Sequence, residues 1–288
     1  MPPCRIGLVG FGVLGQYLFA RMLEHPADFA VVWVWNRTLA TVQGFPGMAP
    51  EQALADLSAF ASRGAVDLIV EVCHPAVMQQ HGAALLAHAA LLLGSPTALA
   101  DAGLEAALRR AAAEAAHSLY VPSGALWGAG DLAKMGAAGT LARLRVTMKK
   151  HPGSLLLEGG APRAALEAAV AAGAQGETVL YSGPVRELAR VAPNNVNTMA
   201  AAALAAENLG FDGVEACLIS DPSLTAHIVE VEAEGRPGAD GQRFSCRTVR
   251  YNPAAPGAVT GSATYASFFS SLRLAAAAGG RSPGLHMV

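Results

Sequence analysis

A short apolar run, Ile6-Gly7-Leu8-Val9, stops at Gly10-Phe11-Gly12-Val13-Leu14-Gly15, and this junction constrains the fold more than any other feature of the chain. A parallel strand buried on both faces reads as such a run, and the turn that ends it needs glycine. The three glycines have separate tasks: Gly10 allows the sharp turn, Gly12 lets backbone approach a pyrophosphate, and Gly15 lets the next helix pack closely on its strand. Unpaired amides at the helix start, where Val13 and Leu14 sit, favour an anion. A helical stretch over residues 16–24 and a second apolar strand over 29–35 complete a βαβ unit.

That second strand ends at Asn36-Arg37-Thr38. A carboxylate that grips the ribose 2′-hydroxyl of NAD is expected about 20 residues beyond the glycines, and here the position holds Asn36. Asn36 can hydrogen-bond a ribose hydroxyl, and Arg37 can pair with a 2′-phosphate. Arg37 stacking on adenine or pointing into water is the open alternative. The cofactor is therefore read as NAD or NADP.

At 288 residues the chain is long enough for two domains. A net charge of −2 gives no electrostatic case for nucleic acid or a membrane surface. Mean hydropathy is high at +0.34, but alanine-rich helices supply it, and no apolar stretch reaches the roughly 18 residues of a membrane span. The N-terminus runs straight into the first strand, which leaves no room for a signal peptide. Cys4, Cys73, Cys217 and Cys246 are scattered without CxxC spacing. These features predict reduced thiols, no zinc and a cytoplasmic protein.

Residues 5–122 alternate short apolar runs with helical stretches, the pattern of a doubly wound parallel sheet. Strands are expected over 66–72, 90–94 and 118–121, and helices over 50–63, 76–90 and 101–116. After Pro122 the texture changes. Strands are expected over 141–148, 177–182, 217–220, 227–233 and 243–250, with helices over 164–172, 195–206 and 266–278. The reading is α/β: a Rossmann domain over 1–122, then an α+β domain over 123–288 built on a mixed or antiparallel sheet. The last helix can pack back on the first domain, followed at Gly279-Gly280 by a loose terminus.

His74, His81 and His88 recur every seven residues. Neighbours at that spacing lie about 10.5 Å apart along a helix, too far to share an ion, so His81 and His88 read as helix-surface residues. His74 ends a strand at the edge where cofactors bind, and with Cys73 it is a candidate for the nicotinamide pocket. Pro122-Ser123-Gly124-Ala125 lies at the same edge, where small residues admit a ring or substrate; no GxSxG surrounds Ser123. Asn194, Asn195 and Asn197 give more amides than one helix cap requires. His227 leads an alternating strand, and its residue type suits proton transfer near neutral pH.

Several segments together resemble the L-aspartate dehydrogenase family, most of all its animal form. They are Gly-Phe-Gly-Val-Leu-Gly-Gln from residue 10, Val-Trp-Asn-Arg, Asp-Leu-Ile-Val-Glu-Val-Cys-His-Pro and Gly-Ala-Leu-Trp-Gly-Ala. The more specific ones follow: Asn-Thr-Met-Ala-Ala-Ala-Ala-Leu-Ala-Ala, Leu-Gly-Phe-Asp-Gly-Val and Asn-Pro-Ala-Ala-Pro-Gly-Ala-Val-Thr-Gly-Ser-Ala. The resemblance implies a catalytic histidine about thirty residues after a cofactor-contacting asparagine, which Asn197 and His227 match. It implies a further cofactor contact at Ala125, use of NAD or NADP, and homo-oligomers, a dimer or larger, paired through the second domain. Cys73-His74-Pro75 and Trp127 depart from the microbial pattern and bear on the substrate pocket.

The activity this implies is NAD(P)-dependent oxidative deamination of a small dicarboxylic amino acid, L-aspartate, with His227 as acid–base catalyst. Lys149, Lys150 and Arg247 are the candidate cations for its carboxylates. Two alternatives stand beside it: a dehydrogenase of another small carboxylate or amino acid, and a dinucleotide-binding sensor with little catalysis.

Overall fold

The computed structural model describes residues 2–114, 117–258, 261–278 and 283–288. Parts of three expectations lie outside those residues: the end of the helix over 101–116, Val259-Thr260 of a family-like segment, and the Gly279-Gly280 terminus. Among the described residues the chain begins β1 (Cys4–Val9), α1 (Val13–Leu23), β2 (Phe29–Trp35), α2 (Leu39–Gln43), β3 (Ala53–Leu54), β4 (Leu68–Glu71), α3 (Pro75–His88), β5 (Ala90–Leu93), α4 (Ala102–Glu114) and β6 (Ser118–Val121). It continues α5 (Ala129–Ala137), β7 (Leu141–Lys150), α6 (Gly160–Ala171), β8 (Thr178–Pro184), α7 (Val185–Val191), α8 (Asn197–Ala205) and α9 (Gly210–Gly213). The last elements are β9 (Glu215–Ser220), β10 (Ala226–Gly235), β11 (Ser245–Pro253), α10 (Ser262–Ala277) and β12 (Gly284–Met287).

The first sheet runs β12-β6-β5-β4-β1-β2-β3, all neighbours parallel. Leu18, Phe19 and Met22 of α1 share one buried cluster with Phe268, Phe269 and Leu272 of α10 and with Ile6, Leu8 and Val70 of the sheet. Met78 and Leu85 of α3 and Leu108 of α4 pack with Val9, Ile69 and Leu91 on the opposite face. Burial on both faces explains why these strands carry no polar alternation. A glycine interrupts β1 because the Trp33 indole of β2 occupies the space: a Cβ on Gly7 would fall 2.2 Å from its Cζ2.

The second sheet is mixed, in the order β11-β10-β7-β9-β8, with β7 and β9 parallel and the other pairs antiparallel. Its inner face shares a buried cluster with α8, whose described side chains from Thr198 to Ala205 are all buried.

Three expectations are corrected. Residues 50–63 do not form one helix. Gln52 bonds the Val31 carbonyl (2.7 Å) and the Ala49 amide (2.9 Å), which draws Ala53–Leu54 out as an edge strand on Val34–Trp35. Asp56 then caps a separate tight turn by accepting from Ser58 N at 2.9 Å. The terminus is not loose: β12 pairs with β6, and the Val288 carbonyl accepts from Ser123 N (2.8 Å), Ser123 Oγ (2.9 Å) and Ser271 Oγ (2.9 Å). His88 is not a plain surface residue, because its ring packs edge-on against Phe60 at 5.1 Å.

Candidate active site

The turn after β1 forms the anion cradle. Gly10 has φ +104°, and a Cβ there would lie 2.7 Å from the Val72 carbonyl oxygen, so only glycine makes this turn without strain. A Cβ on Gly15 would lie 2.2 Å from the Gly10 carbonyl oxygen, so α1 can approach its strand only with glycine. Gly12 is different: nothing lies within 4 Å of a Cβ built there. It caps α1 without a side-chain bond, which leaves backbone facing open space. This cradle fits a dinucleotide pyrophosphate. Val13, at 73 % exposure, stands at the rim, and Leu14 reaches the neighbouring cavity.

Asn36 is already engaged. Its Oδ1 accepts from Phe11 N and its Nδ2 donates to the Thr38 carbonyl, both at 3.2 Å. The residue thus braces the glycine loop against the end of β2, and Arg37 beside it is exposed.

Cys73 and His74 follow the end of β4. Glu71, fully buried, accepts from Cys73 N (2.7 Å), Ser95 N (2.9 Å) and Ser95 Oγ (2.8 Å). Burial pushes its carboxyl above the usual range against those bonds. One carboxyl therefore ties the loops after β4 and β5 together at the cofactor edge. Burial and the adjacent Glu71 also push the Cys73 thiol up, which makes it a poor nucleophile. His74 does not end the strand. It caps α3, accepting from Ala76 N at 3.2 Å through Nδ1, and its Nε2 lies 3.3 Å from Glu158 Oε1 of the second-sheet segment.

Between the two sheets lies a cavity of about 130 Å³. It brings together Ala125, Asn197 and His227, far apart in sequence, with Lys150 and Asn252. His74 and Cys73 do not line it. Ala125 is held there because the Gly124 carbonyl accepts from Arg250 (3.1 Å) and Ser267 (2.9 Å). Asn197 opens α8, and its Oδ1 lies 3.1 Å from Thr97 Oγ1, which directs its Nδ2 as the remaining donor. Asn195 is structural, bonded to Leu156 N (2.7 Å) and the Ser154 carbonyl (3.0 Å).

The pleat decides which charges reach this cavity. Met148 and Lys150 of β7, with His227 and Val229 of β10, point inward. Lys149 and Arg247 point outward and pair with Glu230 at 2.9 and 2.6 Å. Burial lowers Lys150 from 10.5 to about 8. Burial, then the Lys150 charge, lowers His227 from 6.5 to about 4, against a backbone hydrogen bond at Ala258. His227 Nε2 is buried and has no partner, so the Ala258 bond falls to Nδ1, which leaves a basic lone pair on Nε2. Among the described residues that line the cavity none is acidic.

Sequence reasoning missed Asn252. It is 2 % exposed, sits opposite His227 in the β10–β11 register, and accepts from Ala263 N at 3.2 Å. Its signal was the Asn-Pro opening of the last family-like segment. Glu71 also carried a signal, as a lone carboxylate inside an apolar run.

A family model described as the NAD binding domain of homoserine dehydrogenase matches residues 10–122. One described as the C-terminal part of aspartate dehydrogenase matches residues 131–271. A dinucleotide cradle on a parallel sheet, opening beside a cavity with a neutral imidazole, defines an NAD(P)-dependent oxidoreductase. The chain is 49 % identical over 281 residues to an aspartate dehydrogenase domain-containing protein of Xenopus tropicalis, covering 96 % of each. It is 30 % identical over 270 residues to L-aspartate dehydrogenase 1 of Bordetella pertussis, covering 93 % of this chain and 96 % of that one. The fold matches the crystal structure of aspartate dehydrogenase from Thermotoga maritima with a TM-score of 0.67 at 18 % identity, over 94 % of this chain and 96 % of that one. The chain belongs to the aspartate dehydrogenase family.

Among the described residues no helix is long and apolar enough to cross a membrane, and no group of three metal-ligating side chains gathers.

Proposed function

We propose that the protein catalyses NAD(P)-dependent oxidative deamination of L-aspartate, giving iminosuccinate and then oxaloacetate and ammonia. The observation that carries this reading is the pairing of an unbonded His227 Nε2 with the Lys150 ammonium in a cavity without acids beside the glycine cradle. Residues 1–122 supply the cofactor side and 123–288 the substrate side, with α10 and β12 returning to the first sheet. Membership of the family supports a homo-oligomer, a dimer or larger, paired through the second domain.

Val13, Leu14 and the glycines would hold the pyrophosphate, and Ala125 and Asn197, with Cys73 and His74 on the nearby loop, would receive the nicotinamide end. The bound dinucleotide supplies a hydride acceptor for the Cα hydrogen. Lys150 takes a substrate carboxylate, whose negative charge offsets the cost of keeping the ammonium buried. His227, neutral above about pH 4, accepts the amine proton at Nε2, releases it to solvent, and then accepts a proton from the water that adds to the imine carbon. A bound dicarboxylate raises the His227 pKa towards neutrality, because it cancels the Lys150 field. Orienting the amino acid supplies much of the remaining acceleration.

The test is absorbance of reduced nicotinamide with purified protein, L-aspartate and each cofactor, beside His227→Ala. Turnover lost in the variant with dinucleotide binding retained is the expected result. Turnover of another amino acid alone would reassign the substrate. Tight dinucleotide binding without turnover of any would leave a sensor.

A further inference from the structure

The end of β2 is where dinucleotide folds discriminate the two adenosine riboses, and this chain has an unusual end. Residues 29–50 contain no aspartate or glutamate. Gly10 N donates to the Trp35 carbonyl at 2.8 Å, and Phe11 N donates to Asn36 Oδ1 at 3.2 Å. The glycine cradle and the β2 end are thus fastened to each other at two points. Arg37 is the next residue, exposed, and among the described residues it forms no ion pair or hydrogen bond. Thr38 beside it is exposed as well.

Two acids lie on the neighbouring segment, and neither serves the ribose. Glu51 precedes β3, so the parallel register of Trp35 with Leu54 puts it towards the opposite edge of the sheet. Asp56, two residues past β3, turns back to cap Ser58 N at 2.9 Å and feels the charge of His81 on α3. The side chain that an NAD-selective site would use is the residue at position 36. Its amide oxygen already accepts one hydrogen bond and its nitrogen donates another. A neutral amide with one N–H and one lone pair still open lacks the charge and the twin acceptors with which a carboxylate grips the ribose hydroxyls. It also does not repel a phosphate.

The geometry points to a 2′-phosphate subsite at Arg37, and hence to NADP(H) as the preferred dinucleotide. This rests on the dinucleotide-binding reading of the cradle. The planar guanidinium offers two parallel donors to phosphate oxygens. Because Arg37 is held by no carboxylate, no ion pair must break when the phosphate arrives. Thr38 Oγ1 adds a donor on the same turn.

Equilibrium binding tests this without turnover, using quenching of protein fluorescence by NADPH and NADH and calorimetry with 2′,5′-ADP and 5′-AMP. The wild-type protein is expected to bind NADPH at least tenfold tighter than NADH, and 2′,5′-ADP tighter than 5′-AMP. The NADPH preference should weaken as salt rises. Arg37→Ala should bring the NADPH/NADH affinity ratio to about one, and Arg37→Lys should restore part of it. Arg37 is exposed, so unchanged melting of both variants checks that the fold is intact. Equal affinities in the wild type, tighter NADH, or a ratio unmoved by Arg37→Ala would overturn the subsite while leaving the cradle in place. Failure to bind either dinucleotide would overturn the subsite and the cradle together.

Discussion

Lys149 and Lys150 are neighbours on one strand, and the pleat sends them to opposite faces of the second sheet. On the outer face Lys149 sits between Glu177 (2.6 Å) and Glu230 (2.9 Å). Arg247 shares Glu230 at 2.6 Å, and Arg143 bridges Glu215 (3.0 Å) and Glu234 (3.1 Å). Here Lys149, Arg247 and Arg143 each have a carboxylate, and solvent screens the pairs. On the inner face Lys150 is 3 % exposed, faces a cavity without acids, and is pushed from 10.5 to about 8 by burial. The outer ion pairs stabilise the sheet only slightly. An inner face that bears a cationic cost is organised for a ligand.

His227→Ala gives the largest expected effect: a fall in kcat of roughly 10²- to 10⁴-fold with dinucleotide affinity retained, read by steady-state kinetics and fluorescence titration. A small loss would mean the inner face lacks its base. Lys150→Met comes next, with a double signature. Affinity for dicarboxylates should fall about 100-fold, while urea unfolding at pH 7 shows a gain of up to about 3 kcal/mol. The sign follows from the lowered pKa: the burial cost is in full force below about pH 8 and is relieved as pH rises towards 10.5. Loss of stability in this variant would show that the charge is not a burden on the fold.

Succinate, a dicarboxylate without an amine to titrate, sharpens the same contrast. Its binding should weaken about tenfold per pH unit above pH 8, and a flat profile would detach Lys150 from the carboxylate. His227 adds an acid limb. Its pKa drops from 6.5 to about 4, so the folded state loses up to about 3 kcal/mol as pH falls between those values. Lys149→Met is the small end of the series, expected to change stability by less than about 1 kcal/mol and kcat by less than twofold.

The sequence carried the first sheet well, because strands buried on both faces must be apolar runs and the glycine turn has few other uses. Its sheet edges were less legible. Ala53–Leu54 is too short to show a period, and β12 belongs to the first sheet only through tertiary pairing with β6. The helices α5 and α7 were also missed: α5 starts from Gly128 at φ +80° without a side-chain cap, so no cap residue announces it. In the site, residue types identified His227, but spacing alone could not say which of Lys149, Lys150 and Arg247 faces inward. Register settles that, and register is a property of strand pairs. Asn36 carried a second task that its type did not announce: one lone pair and one N–H of its amide brace the glycine loop.

The closing strand has a consequence for how the chain is made. The parallel sheet that begins at Cys4 lacks its outer strand β12, and one of its covering helices α10, until residues near 287 have been synthesised. On the ribosome the N-terminal portion therefore waits with Phe19, Leu8 and Val70 uncovered by Phe268 and Leu272, a state prone to aggregation. Such widely separated contacts slow folding and make the first sheet cooperative with α10 and β12. A nascent chain halted at residue 255 is expected to engage chaperones, however complete its glycine cradle.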